Sequence, residues 1–164
     1  MEVKDLHHYD HDVDTVFKVF HDPAFITAKY QGIGARNVEL LECSGEGNTY
    51  TIKVKREVPA DVPGILKKFL GAWNKVEQTE EWQGETGSVR TCKLDINVIG
   101  VPVKVSGTMT LSPEGGGCVN DVRIKVTSGI PLVGSMLADF VGGDTDKSMG
   151  AEYAFIKDYL ANNT

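Results

Sequence analysis

The 164-residue chain contains 41% hydrophobic and 24% charged residues, and its formal net charge is −6. These values exclude a disordered or fibrous chain, and the acidic balance argues against a duplex nucleic-acid binder and against stable attachment to an anionic membrane. No apolar run reaches the ~18 residues that a transmembrane helix needs, and the polar segment Met1–Asp12 is not typical of a secretory signal.

Length and cysteine content narrow the class of protein further. A chain of 164 residues has the size of one domain, so we expect residues 1–164 to form a single unit. Its three cysteines, Cys43, Cys92 and Cys118, are odd in number and widely spaced. This pattern indicates reduced thiols and a cytoplasmic protein rather than a disulfide-stapled secreted one.

The N-terminal part of the chain predicts one strand followed by two short helices. Residues Val3–Asp10 have the pattern of a first strand. Asp12 is a suitable N-cap for the first helix. Pro23 opens a second helix, which Gly32 and Gly34 end because glycine is the preferred residue just beyond a helix.

From Asn37 onward the hydrophobic period changes to two. Tyr50, Ile52 and Val54, for example, share one side of a strand, with polar residues between them. Glycine-containing turns separate the segments, at Ser44–Asn48, Gly84–Gly87, Gly100–Pro102 and Pro113–Gly117. The pattern predicts a meander of six antiparallel strands with one apolar face.

The helical period returns after Pro131. Residues Leu132–Asn162 predict a long C-terminal helix. Its apolar side consists of Leu137, Phe140, Val141, Ala151, Phe155 and Tyr159. Asp144 and Ser148 fall in the middle of that side. Glycines are unusually frequent within the helix, at positions Gly134, Gly142, Gly143 and Gly150. They predict either a bend or a close approach to the sheet.

The order of the elements predicts the architecture. One strand, two short helices, six strands and one long helix indicate an α+β fold, in which a seven-stranded curved antiparallel sheet wraps round the C-terminal helix. That helix is the largest predicted element that can cover the apolar face of the sheet. A sheet curled round one helix commonly leaves a cavity of ~300–1,000 Å³, the size that holds small ligands.

Five short motifs carry a resemblance to a known superfamily. They are Tyr9–Phe17, Asp22–Phe25, Thr79–Trp82, Gly100–Val103 and Ile130–Gly134. Together with the element order, they make the chain resemble the START-like (SRPBCC, helix-grip) superfamily, which includes birch-pollen-allergen proteins, polyketide cyclases and lipid-transfer START domains. The nearest likeness is a bacterial branch of unknown function. The resemblance implies binding of an apolar or amphipathic ligand in the cavity, and it transfers no catalytic residue to this chain.

Histidines and aspartates near the N-terminus raise the question of a metal site. They are His7, His8, Asp10, His11, Asp12 and Asp14. Metal ligands must converge on one point, whereas neighbouring strand residues point to opposite faces and Asp12 and Asp14 suit helix capping and the helix dipole. The run Gly115–Gly117 lacks the Lys–Ser/Thr pair of a phosphate-binding loop. We expect neither a metal nor a cofactor.

Three charged residues occupy positions of apolar phase. Arg56 lies on the apolar side of its strand, and Glu80 lies on the same side of its strand as Trp82. Asp144 lies in the apolar stripe of the long helix, with Ser148 one turn further on. If they face inward, they supply the few polar groups that small-molecule sites place in an apolar lining. The alternative is a structural ion pair, or a β-bulge that turns one of them toward solvent.

Aromatic and sulfur-containing side chains complete the predicted lining. We expect Tyr50, Trp82, Met109, Phe140, Phe155 and Tyr159 to line the cavity. Ordinary core packing is the alternative for each of them.

The segment after Val58 has an apolar side of its own. It consists of Ile65, Leu66, Phe69 and Leu70, beside Lys67 and Lys68. Three interpretations stay open for this segment: a lid over the cavity, an element that transiently contacts a membrane, and a packed connection.

Three functions from different classes are consistent with these patterns. The first is non-enzymatic binding of a hydrophobic small molecule, a lipid or an aromatic metabolite, and we favour it because of the predicted cavity. The second is an enzyme of the cyclase or hydrolase kind that uses Asp144, Glu80 or Arg56 for acid–base chemistry. The third is an interaction module that docks a partner protein or its own copy through Ile65–Leu70.

Overall fold

The computed structural model describes residues 1–163, and its helices and strands follow the predicted order. The strands are β1 (Glu2–Tyr9), β2 (Arg36–Glu46), β3 (Thr49–Pro59), β4 (Trp73–Gln83), β5 (Arg90–Val98), β6 (Lys104–Glu114) and β7 (Gly117–Thr127). The α-helices are α1 (Val13–Phe20), α2 (Pro23–Gly32) and α3 (Gly134–Asn163). None of these helices in residues 1–163 is both long enough and apolar enough to cross a bilayer.

The seven strands form one antiparallel sheet with the order β1-β7-β6-β5-β4-β3-β2. Six of them form the predicted meander, and β1 pairs with the last strand, Glu2 opposite Lys125 and Tyr9 opposite Cys118. The first strand therefore ends one residue before the predicted Asp10. This arrangement, with α3 against the sheet, confirms the predicted α+β, helix-grip fold.

Both short helices begin as their sequences predict. The Asp12 carboxylate accepts a hydrogen bond of 2.8 Å from the backbone N–H of Thr15, and the Asp22 carboxylate accepts one from Ala24. These bonds satisfy backbone donors that the first turn of a helix leaves free. Phe17 of α1 and Phe25 of α2 pack in one core cluster with Trp82 of β4, whereas Tyr30 of α2 packs with Ile52 and Val54 of β3.

Helix α3 begins two residues later than Leu132, the start that the periodicity predicts. Leu132 has a φ of +71° and is 99% exposed, so it belongs to a turn rather than to the helix. The buried side of α3 is also rotated from the predicted stripe: Ala151 is exposed, whereas Met149 and Ile156 are buried. A count of 100° per residue fixes which residues share a face, but neighbouring elements decide which part of that face is covered.

Close backbone approach explains some glycines but not all of them. A Cβ atom on Gly107 would lie 2.1 Å from the carbonyl oxygen of Arg123 on the neighbouring strand. In α3, a Cβ on Gly142 would overlap the side chain of Met1, whereas one on Gly150 would meet open space. At Gly142 the close neighbour is thus the Met1 side chain rather than the backbone of a strand, and Gly150 needs another explanation.

Candidate functional site

A cavity of about 170 Å³ lies between the inner face of the sheet and α3. Much of its wall is apolar, including Leu94, Ile96, Val105, Val122, Ile124 and Phe140. On each strand these residues alternate with outward-facing ones, as a two-residue period requires. Polar side chains, most of them from β3, β4, α2 and α3, contribute to the rest of the lining, so the cavity is amphipathic.

A hydrogen-bonded chain runs along the polar wall. The Nη2 of Arg56 donates to Oε1 of Gln78 at 3.0 Å, and Nε2 of Gln78 donates to Oε2 of Glu80 at 2.8 Å. The indole N–H of Trp82 donates to the other oxygen of Glu80 at 2.9 Å. Both carboxylate oxygens are therefore held by neutral donors, and burial of Gln78 and Glu80 is compensated by these bonds.

Strand pairing places this polar chain next to an apolar wall. Gln78 pairs with Ile96, and Glu80 pairs with Leu94 on the neighbouring strand. Directly paired residues on one face have Cβ atoms only ~5 Å apart. The change from polar to apolar lining therefore takes place across a single strand spacing.

Two cations flank the ring of Tyr30 in α2. The guanidinium carbon of Arg56 lies 4.1 Å from the ring centroid, and Nζ of Lys29 lies 4.4 Å from it. Lys29 also forms an ion pair of 3.2 Å with Glu152 of α3. Burial would lower the pKa of Lys29, but the neighbouring Tyr30 and Glu152 raise it above its ordinary value. This group of side chains ties α2 to α3 at one end of the cavity.

Asp144, Ser148 and His7 also line the cavity. Burial raises the pKa of the Asp144 carboxyl, and nearby Lys147 only partly opposes this effect. Burial lowers the pKa of the His7 imidazole, which stacks on the ring of Tyr153 at 4.3 Å, although its contact with Asp5 acts in the opposite direction. The half-buried carboxyl of Asp144 and the buried imidazole of His7 therefore add two further polar groups.

The structure brings most of the predicted lining together. The predicted residues that line the cavity are Arg56, Glu80, Trp82, Met109, Phe140, Asp144 and Ser148. Their contribution to ligand binding remains a prediction. Lining residues that the sequence analysis did not select include His7, Lys29, Tyr30, Gln78, Asn120 and Glu152. Gln78 lies on the same face of its strand as Glu80, and Asn120 on the same face as Val122, so strand parity could have predicted both positions. Nothing in the sequence places Lys29 over the sheet.

Three predicted lining residues lie elsewhere, which corrects the expectation for them. Tyr50 packs against the rings of Phe17 and His21 and is not part of the lining. Phe155 covers Gly32 of α2, and Tyr159 packs on Phe25 of the same helix. Helix α2 thus covers the C-terminal part of the α3 face that the periodicity directed at the cavity.

The predicted lid residues pack as part of a connection. Leu66 and Leu70 are buried in the core together with the half-buried Phe69. Ile65 is 55% exposed. Leu70 is the member of this group that lines the cavity, so the segment closes one end of the space, and movement as a lid stays a prediction.

The N-terminal histidines and aspartates do not converge. His8 shares a hydrogen bond with Glu114, and Asp14 accepts one from the backbone N–H of Gly87. Within residues 1–163, no three His, Cys, Asp or Glu side chains are grouped closely enough to hold a metal ion.

Solved structures with this arrangement of elements come from several sources. A protein from Thermus thermophilus, TTHA0849, superposes with a TM-score of 0.69 at 16% identity over all of both chains. Ara h 8.0201 gives a TM-score of 0.62 at 15% identity over 99% of both chains. The STAR-related lipid transfer protein of Xanthomonas axonopodis gives 0.59 at 15% identity, over 94% of this chain and 85% of that one. At these identities the likeness establishes the START-like fold.

Comparison of amino-acid sequences identifies relatives with higher identity to this chain than the solved structures above. The uncharacterised protein Rv0481c of Mycobacterium tuberculosis is 22% identical over 163 residues, which cover 94% of each chain. Residues 6–160 match the model of a family described as a protein of unknown function, DUF2505. The chain therefore belongs to the DUF2505 family.

Proposed function

We propose that this protein binds a hydrophobic or amphipathic small molecule in the cavity between the sheet and α3, without catalysis. The observation that carries the proposal is the cavity itself, which has an apolar wall and a few fixed polar groups, as small-molecule sites do. One protein of the same fold is named as a lipid transfer protein, which supports the proposal by analogy of fold.

The size of the cavity narrows the ligand class. Its volume of about 170 Å³ is smaller than the ~300–1,000 Å³ of most ligand pockets. It is close to an engineered cavity of ~150 Å³ that binds benzene in another protein. A compact aromatic compound or a short chain therefore fits better than a bilayer lipid, which would require the walls to separate.

The contacts give less support to the two alternatives. Both oxygens of Glu80 already accept hydrogen bonds from Gln78 and Trp82, which favours a structural acceptor over a catalytic acid. Docking of a partner through Ile65–Leu70 loses its basis because Leu66 and Leu70 are buried in the core. Binding thus accounts for the arrangement with the fewest further assumptions.

The two tryptophans allow a direct test by NMR. Trp82 lines the cavity, whereas Trp73 is 38% exposed and outside the lining. In a titration with naphthalene, we expect the indole N–H signal of Trp82 to shift with saturation and that of Trp73 to stay in place. Equal shifts of both signals, or no shift at saturating naphthalene, would contradict the proposal.

A pair of variants on β7 provides the matched control. Val122 is buried and lines the cavity, whereas Val119 is half-buried on the opposite face of the same strand. We expect Val122→Phe to abolish naphthalene binding by occupying the space, and Val119→Phe to leave binding unchanged. Equal binding by the two variants would place the ligand outside this cavity.

A further inference from the structure

Unpartnered polar atoms are concentrated around the cavity. In residues 1–163, six buried side-chain nitrogen or oxygen atoms have no hydrogen-bond partner in the protein. Four of them belong to residues that line the cavity: Tyr9 Oη, Tyr30 Oη, Arg56 Nη1 and Asn120 Oδ1. Most buried polar atoms in proteins are paired, and leaving one unpaired is costly. Their grouping at one cavity indicates a ligand with polar atoms of its own.

The four unpartnered atoms require both hydrogen-bond donors and hydrogen-bond acceptors from such a ligand. Arg56 Nη1 is a donor and requires an acceptor, Asn120 Oδ1 is an acceptor and requires a donor, and a tyrosine hydroxyl can act as either. A hydroxyl group is both donor and acceptor, so one chemical group can satisfy either side of the cavity. An ammonium group has no acceptor and cannot pair with Arg56.

The charges of the lining argue against an anion. The lining contains two cations, Lys29 and Arg56, and three carboxylates, Glu80, Asp144 and Glu152. Lys29 is already paired with Glu152, and Arg56 is connected to Glu80 through Gln78. A ligand carboxylate would therefore add a fourth negative charge to a half-buried space, where like charges repel strongly.

We infer that the ligand is an uncharged, hydroxylated compound, an aromatic or short aliphatic alcohol, whose hydroxyl pairs with Arg56 and Tyr30 while its apolar body contacts β5, β6 and β7. This inference rests on the proposed function and adds the chemical class of the ligand. Arg56 and Tyr30 are the favoured pair because the Arg56 guanidinium lies over the Tyr30 ring, its carbon 4.1 Å from the ring centroid, so two of the unpartnered atoms belong to adjoining side chains.

Three probes with the same ring system separate the chemistries. Naphthalene has no polar group, 1-naphthol carries an uncharged hydroxyl, and 1-naphthoate is an anion at pH 7. With the Trp82 indole signal as readout, we expect 1-naphthol to bind about tenfold more tightly than naphthalene, since a hydrogen bond from a charged donor contributes that much. We expect 1-naphthoate to bind most weakly.

Variants then assign the hydroxyl to its partners. Arg56→Met should reduce 1-naphthol affinity to that of naphthalene, and Tyr30→Phe, which removes only an oxygen, should weaken it about threefold. The ratio of 1-naphthol affinity to naphthalene affinity is the quantity to compare, because a change in the shape of the lining alters the binding of both probes. The matched controls are Arg123→Met, at an exposed arginine of β7, and Tyr159→Phe, at a tyrosine outside the lining. Both control variants should bind 1-naphthol with the affinity of the unmodified protein.

The outcomes distinguish the inference from the proposed function. Equal affinities for naphthalene and 1-naphthol, or tightest binding of 1-naphthoate, would overturn the hydroxyl inference and leave cavity binding intact. Failure of all three probes to bind would overturn the proposed function and the inference with it. If Arg56→Met does not give a dispersed NMR spectrum, Tyr30→Phe decides the question, and an unchanged 1-naphthol affinity in that variant would contradict the assignment to Tyr30.

Discussion

The ion pair between Lys29 of α2 and Glu152 of α3 should stabilise the fold measurably. Its Nζ and Oε1 atoms are 3.2 Å apart, and the two side chains are 13% and 21% exposed. Exposed pairs contribute ~0.2–1 kcal/mol, whereas breaking a fully buried pair costs ~3–5 kcal/mol. For this half-buried pair we expect Lys29→Met to lower the free energy of unfolding by about 2 kcal/mol, because Glu152 loses its partner.

A double-mutant cycle isolates the interaction itself. Glu152→Gln should cost less than Lys29→Met because Lys29 keeps its contact with the Tyr30 ring. The double variant should be about 1–2 kcal/mol more stable than the sum of the single effects predicts. Urea denaturation followed by tryptophan fluorescence measures each value. Additive effects within ~0.5 kcal/mol would refute the reasoning, and the exposed pair Lys4–Glu2, at 3.7 Å, provides a control cycle in which additivity is expected.

Three further predictions concern glycines and one carboxyl. Gly107→Ala should lower the free energy of unfolding by about 2–3 kcal/mol, since its Cβ would lie 2.1 Å from the Arg123 carbonyl oxygen. Gly116→Ala, with open space around it, should change that free energy by no more than ~0.5 kcal/mol, and urea denaturation of both variants tests the contrast. Gly150→Ala should raise the free energy of unfolding by up to ~1 kcal/mol in thermal melts, and a loss would contradict the open space there. Asp144→Asn should stabilise the protein at pH 7, because burial raises the pKa of Asp144 and therefore disfavours its ionised form in the folded state. The gain in free energy of unfolding should vanish below about pH 4, where the carboxyl is protonated in the unfolded chain as well. A gain that persists below that pH in urea titrations would contradict this cause.

The fold could be predicted because its signals are local. Strand parity and glycine turns repeat through the six-strand meander, so an error at one residue does not change the topology. Element ends are less well determined: the helix predicted from Leu132 begins at Gly134. At Leu132 a left-handed backbone conformation overrides an apolar spacing that suits the helix. Periodicity cannot detect this, because the turn depends on how the loop leaves β7.

The cavity could be predicted only in part, because packing between elements decides it. Strand parity places Arg56 and Glu80, and the helical period places Asp144, on the apolar faces of their elements, and all three residues line the cavity. Phe155 was directed to the cavity by the same kind of counting, yet α2 covers it. Lys29, in contrast, lines the cavity although the sequence did not predict it there. Its position depends on where α2 lies on the sheet, and the sequence of α2 does not determine that.

Strand pairing places a polar wall of the cavity beside an apolar one while the backbone hydrogen bonds of the sheet stay intact. The strand positions of Arg56, Gln78 and Glu80 would suit aliphatic residues equally well, since Val54 on the same face of β3 is fully buried. An apolar set would remove the cost of burying charge, which hydrogen bonds only partly offset. Core packing therefore gives no reason for polar residues at all three of these positions on β3 and β4. A ligand that requires fixed donors at one side and an apolar surface at the other does give such a reason.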